Sequence, residues 1–147
     1  MKYIIANDHG GIDLVDSVEE KLLELGHEVE KVGTFTKDSC DYSDFAKIAC
    51  EKVLNKEADF AILICGTGIG MSLAANKFKG IRAACLSDVY SAKMCRAHNN
   101  SNVLCIGSRV IGSELAKMIV EVFSKTEFEG GRHLNRINKI KEIEENN

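Results

Sequence analysis

Phe60-Ala61-Ile62-Leu63-Ile64-Cys65-Gly66-Thr67-Gly68-Ile69-Gly70 is the stretch whose reading decides the fold. Its first five residues are apolar without alternation, as in a strand covered on both faces. Three glycines at alternate positions then let the chain turn tightly. A short helix is expected from about Met71. A doubly covered strand that passes through a glycine turn into a helix is one unit of a parallel α/β sheet.

The same pattern repeats to either side. Residues 3–6 read as a short buried strand. After Asp8-His9-Gly10-Gly11, the apolar residues Ile12, Leu14, Val15, Val18, Leu22 and Leu25 recur with helical period, and Gly26 supplies the stop. Residues 29–32 read as a second strand ended by Gly33. A polar loop over 34–41 leads to Ser43, expected to cap a helix carrying Phe45, Ile48, Ala49 and Val53. Further on, strands are expected at 81–86 and 103–106. Helices are expected after Ser87-Asp88, from Ser113 through Phe123, and at about 134–145, where Ile137, Ile140 and Ile143 share one face. Strand alternating with helix about five times predicts a single α/β domain over 1–147. Its expected form is a three-layer sandwich with a parallel five-stranded flavodoxin- or Rossmann-like sheet.

Composition narrows the function classes. The chain of 147 residues is 45% hydrophobic and 28% charged, with net charge −3. No basic excess points to nucleic acid or an anionic membrane, so an anion site must be built locally. The first six residues are apolar only until Asn7-Asp8-His9 interrupts them, which suits neither a signal peptide nor a span of about 20 apolar residues. The cytoplasm is the expected compartment. Six cysteines occur without Cys-x-x-Cys or zinc-finger spacing, so neither a disulfide framework nor a metal site is expected. Cys50, Cys85, Cys95 and Cys105 read as small buried hydrophobes.

In open parallel sheets, ligands bind beyond the carboxyl ends of the strands. Asn7-Asp8-His9-Gly10, the Cys65–Gly70 loop, Ser87-Asp88 and Gly107-Ser108-Arg109 occupy those positions. The loop amides and the following helix N-terminus form an anion cradle; the alternative is a turn with nothing bound. The loop is not a Walker A motif. It matches a dinucleotide fingerprint only in part, and Asp88 at ribose-contact distance keeps a nicotinamide reading open. A thiol at Cys65 faces amides and a helix end that favour thiolate. Such a group can attack a carbonyl or remove a proton beside one, giving an enediolate that the loop amides can hold. The alternative is that Cys65 simply ends its strand.

Of the histidines, His27 reads as structural, His9 lies beside the expected site, and His98 and His133 lie in polar segments. Arg132 and Arg136 are four apart, so on a helix they share a face and can grip one phosphate. Arg109 is a third candidate. The alternative for all three is a solvated basic patch.

Taken together, Asp8-His9-Gly10, Asp41-Tyr42, Ile64 to Gly70, Ala74-Ala75-Asn76-Lys77, Gly80-Ile81-Arg82-Ala83, His98-Asn99, Asn102-Val103-Leu104, Gly107-Ser108-Arg109 and Gly130-Gly131-Arg132-His133 resemble the ribose-5-phosphate isomerase B family over nearly the whole chain. The resemblance implies a metal-free, cofactor-free aldose–ketose isomerase acting as a homodimer or a dimer of dimers. It implies Cys65 as the base moving a proton between C1 and C2, and His98 assisting ring opening. Gly66, Thr67, Gly68, Ile69 and Gly70 would hold the enediolate, and Tyr42 would line the site. Asp8 and Asn99 match sugar-contacting positions, and His9, Arg109, Arg132 and Arg136 match phosphate-handling ones. Met71 stands where a sister branch has its glutamate base, which places the chain with the cysteine-using branch. Ser43 replaces the proline common after Asp-Tyr.

Topology adds an expectation of its own. Cys65 ends a strand, whereas His98 ends a helix that has returned to the other end of the sheet. One substrate would therefore need Cys65 from one subunit and His98-Asn99 from another. The competing functions are isomerisation of allose or galactose 6-phosphate, a signalling receiver, and a nicotinamide-dependent enzyme. A receiver needs an aspartate where this chain has Cys65.

Overall fold

The computed structural model describes residues 1–147 as five strands and six helices in alternation. In chain order they are β1 (Lys2–Asn7), α1 (Ile12–Glu24), β2 (Glu28–Lys31), α2 (Tyr42–Leu54), β3 (Phe60–Cys65), α3 (Ile69–Ala75), β4 (Ala83–Cys85), α4 (Val89–Ala97), β5 (Val103–Gly107), α5 (Ser113–Lys125) and α6 (Arg132–Glu145). Every pairing is parallel, in the order β2-β1-β3-β5-β4. The expected five-stranded α/β sandwich is the one found.

Strand alternation divides the interior into two layers. Tyr3, Ile5, Ile62, Ile64, Leu104 and Ile106 point to one face, where Val18 and Leu22 of α1 and Ile119, Val120 and Phe123 of α5 cover them. Ile4, Ala6, Ala61, Leu63, Val103 and Cys105 point to the other, against Ala46, Ala49 and Cys50 of α2 and Met71 and Ala75 of α3. Burial on both faces explains why β3 reads as an unbroken apolar run.

The strand order locates the ligand crevice. From β1 the chain steps to β2 on one side, and β3 then pairs with β1 on the other. Neighbouring loops diverge at such a switch point and leave an opening beyond the carboxyl ends. The β1–α1 and β3–α3 loops flank it here.

Three local expectations need correction. Ser43 lies inside α2, because extended Asp41 takes the cap position and Tyr42 begins the helix. The fourth strand runs only over Ala83–Cys85; Ile81 is buried ahead of it, while the side chain of Asn76 bonds both the N–H and the C=O of Ala83 on its outer edge. A side chain pairing there blunts an otherwise open sheet edge. The final helix begins at Arg132, two residues before the expected 134, after Gly130 and Gly131 at positive φ. It leaves Leu134, Ile140 and Ile143 exposed. No helix is long and apolar enough to cross a membrane.

Candidate active site

Cys65 closes β3 opposite Gly107 of β5 and is 5% exposed. Its sulfur accepts a hydrogen bond from the Gly68 N–H at 3.0 Å. That bond depends on the backbone of Gly68, which sits at φ +82. A Cβ there would also meet the Ile106 carbonyl carbon at 3.0 Å and Cys85 Sγ at 3.1 Å. Only glycine relieves both constraints.

The loop amides divide their work rather than converging on one point. Gly68 serves the thiol, and Ile69 N–H bonds to Thr67 Oγ1 at 3.2 Å. The N–H groups of Gly66, Thr67 and Gly70 have no partner within the chain. They remain as donors for a bound oxyanion, beside the N-terminal turn of α3.

Side chains from three other segments close on this loop. Tyr42, at the start of α2, lays its ring against Gly70, where a Cβ would come within 2.7 Å of the ring. Arg109 packs over Gly66, and its N–H bonds to Gly66 O at 3.0 Å. Asp8, at the end of β1, is 6% exposed; its Oδ1 accepts from Gly10 N–H at 2.9 Å and Gly11 N–H at 3.1 Å, leaving Oδ2 without a protein partner. His9 follows, and its Nδ1 accepts from the Cys40 N–H at 3.3 Å. Ser108 Oγ donates to Gly10 O, tying the β1 and β5 loops together. The structure thus gathers Asp8, His9, Tyr42, Cys65, the 66–70 loop and Arg109 at the carboxyl end of the sheet.

His98, Asn99, Arg132 and Arg136 are elsewhere. His98 caps the C-terminus of α4, five residues before β5 leaves from the amino end of the sheet. Its ring stacks on that of His133, with centroids 4.1 Å apart and planes within 9°. Glu129 Oε2 lies 3.8 Å from His98 Nε2 and 3.3 Å from His133 Nε2. Burial, then the neighbouring His98 and Arg132, push the His133 imidazole below its ordinary value. Asn99 is exposed beside it, and Arg132 opens α6 one residue before His133. Neither Arg132, Arg136 nor Arg109 has a carboxylate within ion-pair distance. An unpaired arginine is free to take an anionic ligand.

His98, Glu129 and His133 are the group whose donor atoms could hold a metal, all within 4.8 Å of one another. The two rings lie parallel, so their Nε2 lone pairs run side by side instead of meeting at one point. A tetrahedral zinc site needs convergent donors at about 2.0–2.1 Å. The arrangement suits a shared proton better than a chelated ion.

The sequence reading misplaced one cysteine. Cys50, Cys95 and Cys105 are buried, as expected, and burial raises all three thiols, that of Cys50 to about 12. Cys85 is exposed instead, its sulfur 3.7 Å from Thr67 O. It sits at the open end of the short edge strand. Glu129 was not singled out from sequence, and Ser108 entered only as part of Gly107-Ser108-Arg109, without a role of its own. For Glu129 the available signal was its place directly before Gly130-Gly131-Arg132-His133.

A family model described as Ribose/Galactose Isomerase matches residues 3–140. Ribose-5-phosphate isomerase B of Escherichia coli (strain K12) is 48% identical over 138 residues, covering 94% of this chain and 93% of that protein. Among solved structures, Clostridium thermocellum ribose-5-phosphate isomerase B superposes with a TM-score of 0.97 at 47% identity, covering 99% of both chains. The Mycoplasma genitalium ribose-5-phosphate isomerase B solved with bound ribulose-5-phosphate has a TM-score of 0.93 at 41% identity, covering 99% of this chain and 97% of that one.

Proposed function

The chain belongs to the ribose/galactose isomerase family, and on that footing we propose that it interconverts ribose 5-phosphate and ribulose 5-phosphate through an enediolate. The observation that carries the chemistry is the Cys65 sulfur, held by one loop amide beside three unpartnered ones. The first amide favours negative charge on sulfur. The others offer donors to the oxygens on C1 and C2 as negative charge develops there. Cys65 removes the C2 proton of the open-chain aldose, the O2 proton passes to O1 in the enediolate, and Cys65 returns its proton to C1 as the C2 carbonyl forms.

His98 delivers the proton that opens the sugar ring, and Asn99 and the free oxygen of Asp8 contact hydroxyls. His9 and Arg109 grip the phosphate from the Cys65 end, joined by Arg132 and Arg136, which travel with His98. Binding energy taken from the phosphate positions the reacting carbons. Because the Cys65 and His98 groups occupy opposite ends of one sheet, the working site combines them across two subunits of a homodimer. Pairs of dimers are compatible with this.

Six-carbon aldose phosphates need the same chemistry and a longer pocket. The test is a rate comparison on ribose, allose and galactose 6- or 5-phosphates with purified protein in the presence of chelator. Turnover is expected to be fastest with ribose 5-phosphate. A faster rate with a six-carbon substrate would reassign the activity, and turnover that chelator abolishes would overturn the metal-free chemistry.

A further inference from the structure

Glu129 is 57% exposed in its side chain, yet its backbone is fixed. Its N–H bonds to Ala97 O at 3.0 Å, which ties the approach to α6 onto the last turn of α4, next to His98. Gly130 and Gly131, at φ +69 and +56, then turn the chain so that His133 N–H bonds to Gly130 O and the His133 ring comes under His98. One carboxylate oxygen therefore faces the Nε2 atoms of two stacked imidazoles. His133 is 5% exposed and provides a fixed floor. His98 is half-exposed at a helix end; stacking on His133 sets its ring plane, and Glu129 is the one carboxylate near its Nε2.

We propose that Glu129 is the positioning residue for His98: its carboxylate, braced on His133, holds the His98 ring in the orientation needed to pass a proton to the sugar-ring oxygen. In that step C1–O4 breaks and O4 gains the His98 proton. The anomeric hydroxyl gives its proton to water as the C1 carbonyl forms. Orientation matters because a misplacement on the order of 1 Å can cost about a hundredfold in rate. The inference rests on the assignment of His98 to ring opening.

A double-mutant cycle on kcat tests it, in the full-length oligomer, with Glu129→Gln, His98→Asn and the double variant. Glu129→Gln should lower kcat for ribose 5-phosphate by about tenfold with KM little changed. Once His98 is Asn, the same change should have less than about a twofold effect, because the two residues act as one unit. Equal losses in both backgrounds would mean a structural role and overturn the inference, as would wild-type turnover in Glu129→Gln. Wild-type turnover in His98→Asn would remove the ring-opening assignment and the inference with it. A further readout separates positioning from general damage: deuterium uptake from solvent into C1 of ribulose 5-phosphate requires no ring step. It should match wild type in Glu129→Gln, and a loss parallel to that in kcat would again sink the inference.

Discussion

The Gly68 N–H reaches the Cys65 sulfur at 3.0 Å, so one amide of the glycine loop is already engaged by the thiol. The amides of Gly66, Thr67 and Gly70 stay free, and on the proposed mechanism they receive the enediolate. Cys65→Ser keeps a hydrogen-bond acceptor in the same place but replaces the sulfur proposed as the base with a far less acidic hydroxyl. Turnover of ribose 5-phosphate should fall by about 10²–10⁴-fold, the usual contribution of a positioned general base. Inhibition by inorganic phosphate should be unchanged. Steady-state kinetics with phosphate as a competitive inhibitor measures both. Retained turnover in the variant would take the base role from Cys65.

Gly68→Ala tests the loop backbone directly. Its positive φ and the 3.0 Å approach to Ile106 each oppose a side chain. A non-glycine residue forced into such a conformation costs about 1–3 kcal/mol, and the added methyl pushes on β5. Stability to urea should fall within or above that range, with kcat lowered by the shifted amide. Gly112→Ala is the control, since nothing lies within 4 Å of a Cβ there and the backbone is extended at φ −87. It should unfold like wild type.

The layers of the fold could be read from sequence because β1, β3 and β5 are buried on both faces, and an unbroken apolar run records that directly. The Cys65 loop was legible for a related reason: glycines at alternate positions mark a backbone that must turn and stay open. The misreadings fall where sequence neighbours are not spatial ones. Cys85 carries the apolar neighbours of a core residue, but it lies on β4, and the crossover to β5 places β4 at the sheet edge. Ser43 is a good capping residue, yet helix α2 starts one residue before it, and its Tyr42 ring packs on Gly70, a long-range contact no local pattern reports. Glu129 acquires its partners from α4 and α6 together, so its place before Gly130 marked a position but not the contacts it makes.

Two histidines should make the fold sensitive to mild acid. Burial, then the nearby amino terminus, lower His27 from its ordinary 6.5, and burial with neighbouring cations lowers His133. A folded state that resists protonation loses ground once the unfolded chain binds the proton. Stability is therefore complete above about pH 6.5 and declines as pH falls through the depressed folded values. Glu30, held below its ordinary 4.5 by Lys2 and Lys52, acts only in a lower window. Urea midpoints should drop between about pH 7 and 5, and His27→Gln should flatten that slope. A slope that survives both His27→Gln and His133→Gln would refute this account.

Cys65 pairs with Gly107 at one end of β5, whereas His98 precedes Val103 at the other. Four steps of strand separate those ends by about 13 Å, too far for one small sugar phosphate to touch both groups of a single chain. In the proposed two-fold dimer each Cys65 would meet the partner's His98, which makes complementation quantitative. Cys65→Ala and His98→Asn homodimers each have two dead sites. A mixed dimer has one site carrying both lesions and one carrying neither. Random exchange puts half the chains in mixed dimers, each with one of two sites intact, so about a quarter of wild-type activity should return. Subunit exchange would be followed in parallel by mass spectrometry of differently tagged chains. Exchange without recovery would mean that each site is built within one chain, and that His98 reaches Cys65 by a movement of its own helix.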